Sequence, residues 1–260
     1  MNAIKIFPAF LMLMIFVFTS CNVTKNGIVA HRGAWKKNNL PENSIAALRH
    51  AIDLKAVGSE FDVVMTVDDS LVINHDPHYN NLIVEETKYA DLIKFKLSNG
   101  EKLPTLREYI IEGKKNNKHT TLVCEIKPSG VSKERGKKIA LKAVEIVKSL
   151  NAEKITSYIS FDYEILKQIR EVDSKTTLQY LEGNKSPKEV KLDNITGVDY
   201  HYSVFRKYPN WIKEAKDNKI TLNVWTVNDV VDMDWIIENN FDYITTNEPE
   251  LLSERIKVKK

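Results

Sequence analysis

Two pairs of charged side chains, each interrupted by one residue, are the feature of this sequence that could most directly do chemistry. Glu60 and Asp62 form one pair, Glu125 and Lys127 form the other, and both lie in segments with the pattern of β-strands. Side chains two positions apart in a strand point to the same face. Unpaired charge inside strands is costly. We therefore expect three carboxylates at one place, where a bound cation offsets their mutual repulsion.

The ligand atoms predict the kind of cation. Carboxylate oxygens from Glu60, Asp62 and Glu125, with no cysteine and no obvious histidine ligand, favour the hard ions Ca²⁺ or Mg²⁺ over zinc. Arg32 carries a permanently charged, forked guanidinium that suits a phosphate group, and Lys127 adds a second positive charge. Acidic metal ligands beside such cations are typical of a phosphoester site, because metal and cations balance the anionic oxygens of the transition state.

Two histidines close to the ends of extended segments could move protons. His31 follows the apolar run 27–30, and His75 comes soon after the run 71–73. Because the ordinary pKa of a histidine is near 6.5, each can donate or accept a proton near neutral pH. A pair on opposite sides of a phosphorus atom would serve as acid and base, in an order that the residues leave open. We interpret His201 as a packed strand residue, with substrate contact as the alternative.

The elements that must position these residues alternate regularly along the chain. From residue 27 onward we count eight main strands, each followed by a helix, and strict alternation of this kind predicts a parallel sheet. Eight units in about 230 residues predict closure into a TIM-type (β/α)8 barrel, with an open doubly wound sheet as the competing architecture. Barrel enzymes carry their catalytic groups at the C-terminal ends of the strands, which is where the charged pairs fall.

Two segments beside the predicted site stand apart from this alternation. Residues 76–103 have no clear apolar period, and we interpret them as a short insertion after strand 2 that forms a lid or binding loop. Glu42, which follows Pro41, is interpreted as part of a helix start, with orientation of Arg32 as a second role.

The N-terminus has the pattern of an export signal. Residues 1–20 combine an early lysine, an almost continuous apolar stretch and small residues before Cys21, as in a secretory signal peptide. The pattern resembles a bacterial lipobox, apart from Phe18 where leucine is common. We expect a lipid anchor on Cys21, a tether over 21–26, one domain over 27–260 and a place in the cell envelope. A plain cleaved signal and an uncleaved anchor are the alternatives.

Six short motifs, in order, are similar to those of the glycerophosphodiester phosphodiesterase family across residues 27–252. They are His31-Arg32-Gly33, Pro41-Glu42-Asn43-Ser44, Glu60-Phe61-Asp62, His75-Asp76, Glu125-Ile126-Lys127 and Trp225-Thr226-Val227-Asn228. The resemblance implies a TIM barrel that hydrolyses glycerophosphodiesters to glycerol 3-phosphate and an alcohol. The sequence departs from the family at Ser44, where threonine is common. Its insertion also lacks the usual Arg-Thr-Thr segment, and the resemblance therefore does not identify the alcohol part of the substrate.

The resemblance also implies a role for each candidate residue. The implied roles are one divalent cation, Ca²⁺ or Mg²⁺, on Glu60, Asp62 and Glu125, an acid/base pair of His31 and His75, phosphate binding by Arg32 and Lys127, and a pocket wall at Trp225. The nucleophile is either water or the substrate's own hydroxyl group, and a cyclic glycerol phosphate intermediate would identify the second route.

Other functions remain as alternatives at this level. A phospholipase of the phosphoinositide- or sphingomyelin-cleaving type could use the same barrel, although no strongly apolar insertion supports it. A binding lipoprotein without activity is disfavoured because both histidines are present. The formal net charge of +3 gives no case for a nucleic-acid partner. The sequence does not indicate the oligomeric state.

Overall fold

The structure, a computed structural model, describes residues 26–259. The predicted signal peptide, Cys21 and all but the last residue of the predicted tether lie outside the described residues. The strands in chain order are β1 (Gly27–Ala30), β2 (Gly58–Met65), β3 (Leu71–Ile73), β4 (His78–Tyr79), β5 (Leu82–Ile83), β6 (Thr121–Ile126), β7 (Thr156–Ser160), β8 (Leu178–Tyr180), β9 (Gly197–His201), β10 (Thr221–Trp225) and β11 (Tyr243–Thr246).

The helices lie mainly between these strands. They are α1 (Ile45–Asp53), α2 (Tyr89–Leu92), α3 (Leu106–Lys114), α4 (Lys133–Ser149), α5 (Tyr163–Val172), α6 (Pro187–Leu192), α7 (Tyr202–Lys207), α8 (Asn210–Asn218), α9 (Val230–Glu238) and α10 (Pro249–Lys259). Each helix of the described residues is too short or too polar to cross a membrane.

Eight parallel strands form the barrel, in the order β10-β9-β8-β7-β6-β2-β1-β11. The two end strands of this order approach each other and are bridged by backbone hydrogen bonds. Asp242 N–H donates to the Leu222 carbonyl at 3.0 Å, and Val227 N–H donates to the Thr245 carbonyl at 3.0 Å. The predicted TIM-type barrel is confirmed, and the open doubly wound sheet is wrong.

Strand β2 illustrates why the sequence folds in this way. All eight of its residues are buried, because one face packs on helices and the other faces the barrel interior. Phe61 lies on the outer face, where its ring centroid is 4.5 Å from that of Tyr109 in α3. The alternation of a strand then directs Glu60 and Asp62 inward.

Helix α1 begins later than the sequence predicts. Ser44 is its N-cap, and the Ser44 hydroxyl accepts a hydrogen bond from the Ala47 N–H. Glu42 therefore lies before the helix, so its interpretation as part of the helix start is wrong. The chain between β1 and Ser44 forms no helix or strand, and it contains Arg32, Glu42 and Asn43.

The insertion after strand 2 is more ordered than its sequence pattern indicates. Strand β3, which pairs antiparallel with β2, comes just before it, and residues 76–103 contain the β4–β5 hairpin and α2. A small apolar cluster holds it together, formed by Val64, Val72, Val84, Leu92 and Leu103. These residues come from separate turns and short strands, so no helical or strand period reveals them.

The insertion is also fixed to the barrel by charge. The Glu85 carboxylate accepts hydrogen bonds from the Ser129 hydroxyl at 2.6 Å, the Gly130 N–H at 2.8 Å and the Arg135 guanidinium at 3.1 Å. Arg135 donates further to the carbonyl of Thr66 at 2.7 Å. The insertion, which begins directly after His75, is thereby bound to the loop after β6 and to α4.

Candidate active site

The predicted site residues lie at the C-terminal ends of the strands, on one mouth of the barrel. Glu60, Asp62 and Glu125 each offer one carboxylate oxygen within 4.8 Å of the other two. Their side chains are buried, with exposed fractions of 2%, 1% and 7%. A cavity of about 100 Å³ opens beside them, lined by His31, Arg32, Glu60, His75, Glu125, Lys127 and Trp225 together with Ile159, Phe161, Leu181, Asp199, Thr226 and Thr245.

A sharp turn after β1 brings the backbone of Arg32 to Glu60. Arg32 has a φ of +56° and Gly33 a φ of +83°. The Arg32 N–H donates to Glu60 Oε2 at 2.8 Å. A Cβ on Gly33 would lie 2.7 Å from the Ala47 backbone carbon, so only glycine allows α1 to approach this turn so closely.

Two cationic side chains, Arg32 and Lys127, form ion pairs with the carboxylates. The Arg32 guanidinium donates to Glu42 Oε2 at 2.5 Å and lies 3.6 Å from Asp62 Oδ2. The Lys127 ammonium lies 2.8 Å from Glu125 Oε1 and 3.3 Å from Asp62 Oδ1. Glu42 therefore does orient Arg32, the second role considered for it. Positive and negative groups meet here at the edge of a partly open cavity, which suits an anionic ligand.

Asn43 fixes Asp62 from the side of the irregular segment before α1. Its amide Nδ2 donates to Asp62 Oδ2 at 2.9 Å, and its Oδ1 accepts from the Asp62 N–H at 3.2 Å. Asn43 has a φ of +59°, a conformation that asparagine adopts more readily than most residues. The double contact holds the carboxylate of Asp62 in one orientation.

The pKa values of the three carboxyl groups are shifted in different directions, because burial and repulsion raise them while nearby cations and hydrogen bonds lower them. Burial, with the charges of Asp62 and Glu125, raises the pKa of Glu60 well above its ordinary value. Burial and Asp62 raise the pKa of Glu125 to about 7. Burial also acts to raise the pKa of Asp62, but the charges of Lys127 and His75 and the Asn43 hydrogen bond outweigh it, so that pKa is lowered.

The carboxylate oxygens fit a hard divalent cation. Within the part of the chain that the structure describes, Glu60 Oε1 is buried with no hydrogen-bond partner, and Glu125 Oε1 has only its ion pair with Lys127. Buried carboxylate oxygens without donors are costly. A cation with several oxygen ligands would satisfy them and remove the repulsion that raises both pKa values. The structure thus provides a candidate divalent metal site of the predicted composition.

Each histidine is oriented by a hydrogen-bond partner. His31 Nδ1 lies 2.7 Å from Asn247 Oδ1, while its Nε2 lies 3.9 Å from Glu60 Oε2. Burial, reinforced by the charge of Arg32, lowers the pKa of His31 to about 4. His75 is more exposed, and its Nδ1 lies 2.8 Å from Asp76 Oδ1. In both rings the Nδ1 partner leaves Nε2 free for proton transfer.

The opposite wall of the cavity is apolar. Trp225 lies on it and donates from Nε1 to the Asp199 carbonyl at 2.8 Å, which fixes its ring. The Phe161 ring meets Trp225 edge to face at 5.5 Å, and the His201 ring does so at 5.2 Å. His201 also caps α7, where its Nδ1 accepts from the Ser203 N–H at 3.3 Å. His201 packs against Trp225 and does not line the cavity, which agrees with its interpretation as a packed residue.

Sequence reasoning assigned no role to four residues that the structure brings to the site. Asn43 belongs to a motif already noted, but its bonds to Asp62 have no signature in spacing. Asn247 and Phe161 follow strands β11 and β7, where any polar or aromatic residue could reach the mouth. Asp199 had a usable signal, because it is a charged residue between apolar residues of a strand, as Asp62 is.

Comparison with known proteins gives one consistent result. A family model described as the glycerophosphoryl diester phosphodiesterase family matches residues 31–251. A glycerophosphodiester phosphodiesterase of Caldanaerobacter subterraneus subsp. tengcongensis is 32% identical over 243 residues, which is 88% of this chain and 96% of that protein.

Solved structures agree in fold. A glycerophosphodiester phosphodiesterase from Parabacteroides distasonis is 39% identical, with a TM-score of 0.87, over 90% of this chain and 98% of that one. An Oleispira antarctica phosphodiesterase in complex with the product sn-glycerol-3-phosphate is 20% identical, with a TM-score of 0.76, over 90% and 97%. At that identity the second likeness concerns the fold alone.

The shifted carboxylates predict how stability depends on pH without divalent cations. Because the pKa of Glu125 is about 7 in the fold and ordinary when unfolded, the folded state binds the extra proton. Compared with a variant that lacks this carboxyl, the wild type should therefore lose stability as pH rises from about 5 to about 7, by up to about 1.4 kcal/mol per pH unit, or roughly 4 °C in Tm. Thermal unfolding in chelator measures this. Adding Mg²⁺ or Ca²⁺ at pH 8 should restore the Tm.

Glu125→Gln is the matched control for this measurement, because it removes the titrating group and keeps the shape. Over the same interval its Tm in chelator should not show this loss, while the effect of other titrating groups such as His31 is common to both proteins. A difference in Tm between wild type and Glu125→Gln that stays constant from pH 5 to 7 would contradict the prediction.

Proposed function

The chain belongs to the glycerophosphoryl diester phosphodiesterase family, and we propose that it releases glycerol 3-phosphate and an alcohol with the help of one divalent cation and two histidines. Membership makes the chain a glycerophosphodiester phosphodiesterase, a phosphoric diester hydrolase. The observation that carries the finer proposal is the meeting of three buried carboxylates with Arg32 and Lys127 in one cavity.

The carboxylates Glu60, Asp62 and Glu125 would hold the cation, and their oxygen-only donor set favours Ca²⁺ or Mg²⁺. When bound, such an ion supplies positive charge that stabilises the phosphoryl oxygens as negative charge develops on them. The Oleispira relative described above was solved with glycerol 3-phosphate as its product, and this supports the same product here.

Arg32 and Lys127 would bind the phosphate oxygens. Each already lies within 4 Å of Asp62, so the carboxylate holds both cations at the cavity. The guanidinium is further fixed by Glu42, which lies outside the carboxylate cluster. Such prearranged charge costs little reorganisation when the phosphate gains charge in the transition state. Phe161 and Trp225 close the other wall and exclude water from it.

We assign His31 as the base and His75 as the acid. A lowered pKa keeps His31 neutral near pH 7, so its Nε2 can accept the proton of the attacking hydroxyl. The Asp76 carboxylate holds His75 by Nδ1, so that Nε2 is the ring nitrogen that can donate a proton. A bond forms between phosphorus and the attacking oxygen, which belongs to water or to the substrate's own hydroxyl group, the bond from phosphorus to the alcohol oxygen breaks, and that oxygen takes the His75 proton. Attack by water gives glycerol 3-phosphate directly, whereas attack by the substrate hydroxyl gives a cyclic glycerol phosphate that water then opens to the same product.

The reaction itself is tested with purified protein and a set of glycerophosphodiesters that differ only in head group. We expect release of glycerol 3-phosphate in the presence of Mg²⁺ or Ca²⁺, and loss of activity in chelator. Intact phospholipids serve as the comparison substrate and should be cleaved at least about 100-fold more slowly. Full activity in chelator would contradict the role of the cation, and preferential cleavage of phospholipid would contradict the substrate class.

The proton assignments predict different responses to the leaving group. With glycerophosphocholine, His31→Ala and His75→Ala should each lower kcat by about 10²- to 10⁴-fold. With glycerol 4-nitrophenyl phosphate, whose leaving group needs no proton, His75→Ala should recover most of its activity and His31→Ala should not. Release of 4-nitrophenolate measures both. Recovery by His31→Ala instead would reverse the two assignments.

We further propose that the protein is exported and anchored by lipid on Cys21. The support is the charged start, the apolar stretch and the small residues before that cysteine. In a bacterial host, Cys21→Ala should move the protein from the membrane fraction to the soluble fraction. Cys124→Ala is the matched control, because Cys124 is buried in the barrel and cannot be lipidated. Equal fractionation of wild type and Cys21→Ala would contradict the anchor.

A further inference from the structure

Asp199 is a buried carboxylate at the site for which the proposed chemistry has no use. It lies in the middle of β9 and is 1% exposed, and its Oδ1 has no hydrogen-bond partner among residues 26–259. It shares the inward face of that strand with Gly197, where a Cβ would lie 2.9 Å from the inward-facing Gln179 side chain. A buried carboxyl oxygen without a donor is costly, so a fold that keeps one has a use for it.

The cations of the site do not serve Asp199. Lys127 is engaged by Asp62 and Glu125, and Arg32 by Glu42 and Asp62. Burial and the negative charge of Glu125 raise the pKa of Asp199 well above its ordinary value. Its oxygens are also not part of the carboxylate group that could hold a metal ion. The surroundings of the Asp199 side chain therefore favour a neutral polar partner over a cation.

The surroundings of Asp199 define the kind of partner. The side chain lines the 100 Å³ cavity together with the apolar residues Phe161, Leu181 and Trp225. Its own carbonyl accepts the Trp225 Nε1–H at 2.8 Å, which couples its backbone to the aromatic wall. A ligand group here would meet a carboxyl oxygen on one side and apolar surface on the other. A small polyol offers hydroxyl groups and C–H surface that match both.

We propose that Asp199 determines specificity by hydrogen bonding to a hydroxyl group of the glycerol end of the substrate. The inference rests on the proposed function, which places the phosphate at Arg32 and Lys127. A hydroxyl can donate to an ionised carboxyl and accept from a protonated one, so it satisfies Asp199 in either state. A buried site built to bond a hydroxyl discriminates strongly against an analogue that lacks it.

The test compares two diesters of equal charge, glycerophosphoethanolamine and propyl phosphoethanolamine, which lacks both glycerol hydroxyls and serves as a competing ligand whether or not it is cleaved. Asp199→Ala should lower kcat/KM for the glycerol diester by about 10- to 100-fold and change the inhibition constant of the propyl diester by less than about threefold. Asp199→Asn keeps a donor and an acceptor and should retain most of the preference. Equal losses for both diesters would overturn the inference.

Two further measurements separate specificity from structure and from the other end of the substrate. In calorimetry with Mg²⁺, Asp199→Ala should weaken the binding of glycerol 3-phosphate about tenfold and leave inorganic phosphate unchanged. The Tm of Asp199→Asn should equal or exceed that of wild type, because a buried unpartnered carboxyl is removed. A loss that follows the charge of the head group, compared between glycerophosphocholine and glycerophosphoglycerol, would assign Asp199 to the alcohol and overturn the inference.

The same experiment separates this inference from the proposed function. A wild-type protein that cleaves neither diester overturns both. A wild-type protein that cleaves the glycerol diester, with the same substrate preference in Asp199→Ala, overturns the inference alone.

Discussion

The burial of three like charges at one end of the barrel is the constraint around which the rest of the site is built. Glu60, Asp62 and Glu125 are too close to be ionised together in a dry interior without compensation. Lys127 offsets part of their charge, and burial together with the remaining repulsion raises the pKa of Glu60 and of Glu125. In the function proposed above, a divalent cation would complete the balance, so the cost of burying these charges and the affinity for metal would have the same origin.

The irregular segment between β1 and α1 makes this arrangement possible. Its left-handed residues include Arg32, Gly33 and Asn43, and each of these three makes a contact with the carboxylates or with α1. The insertion supports the same segment, because Glu101 accepts the free N–H groups of Ile45 and Ala46 at the start of α1. Glu101 thereby fixes the insertion, which follows His75, to the start of α1, which follows the turn at Arg32.

The cavity divides into two walls with different tasks. Charged residues from β1, β2 and β6 form one wall and suit a phosphate and its counterion. Aromatic and aliphatic residues at or just after β7, β8 and β10 form the other, and they can recognise only shape and apolar surface. Asp199 on β9 is the polar exception on that second wall. In the roles proposed above, the residues that act on the phosphate and the residues that select the substrate lie on different groups of neighbouring strands.

The sequence by itself determined the barrel and the charged half of the site. Alternating strands and helices leave few topologies, and a carboxylate pair such as Glu60 and Asp62 stands out in an apolar strand because buried charge is costly. Only the tertiary structure brought Asn43, Asn247 and Asp199 to the site, and gave the insertion its order. Contacts between residues far apart in the chain, such as that of His31 with Asn247, follow from barrel closure, and closure leaves no periodicity in the sequence.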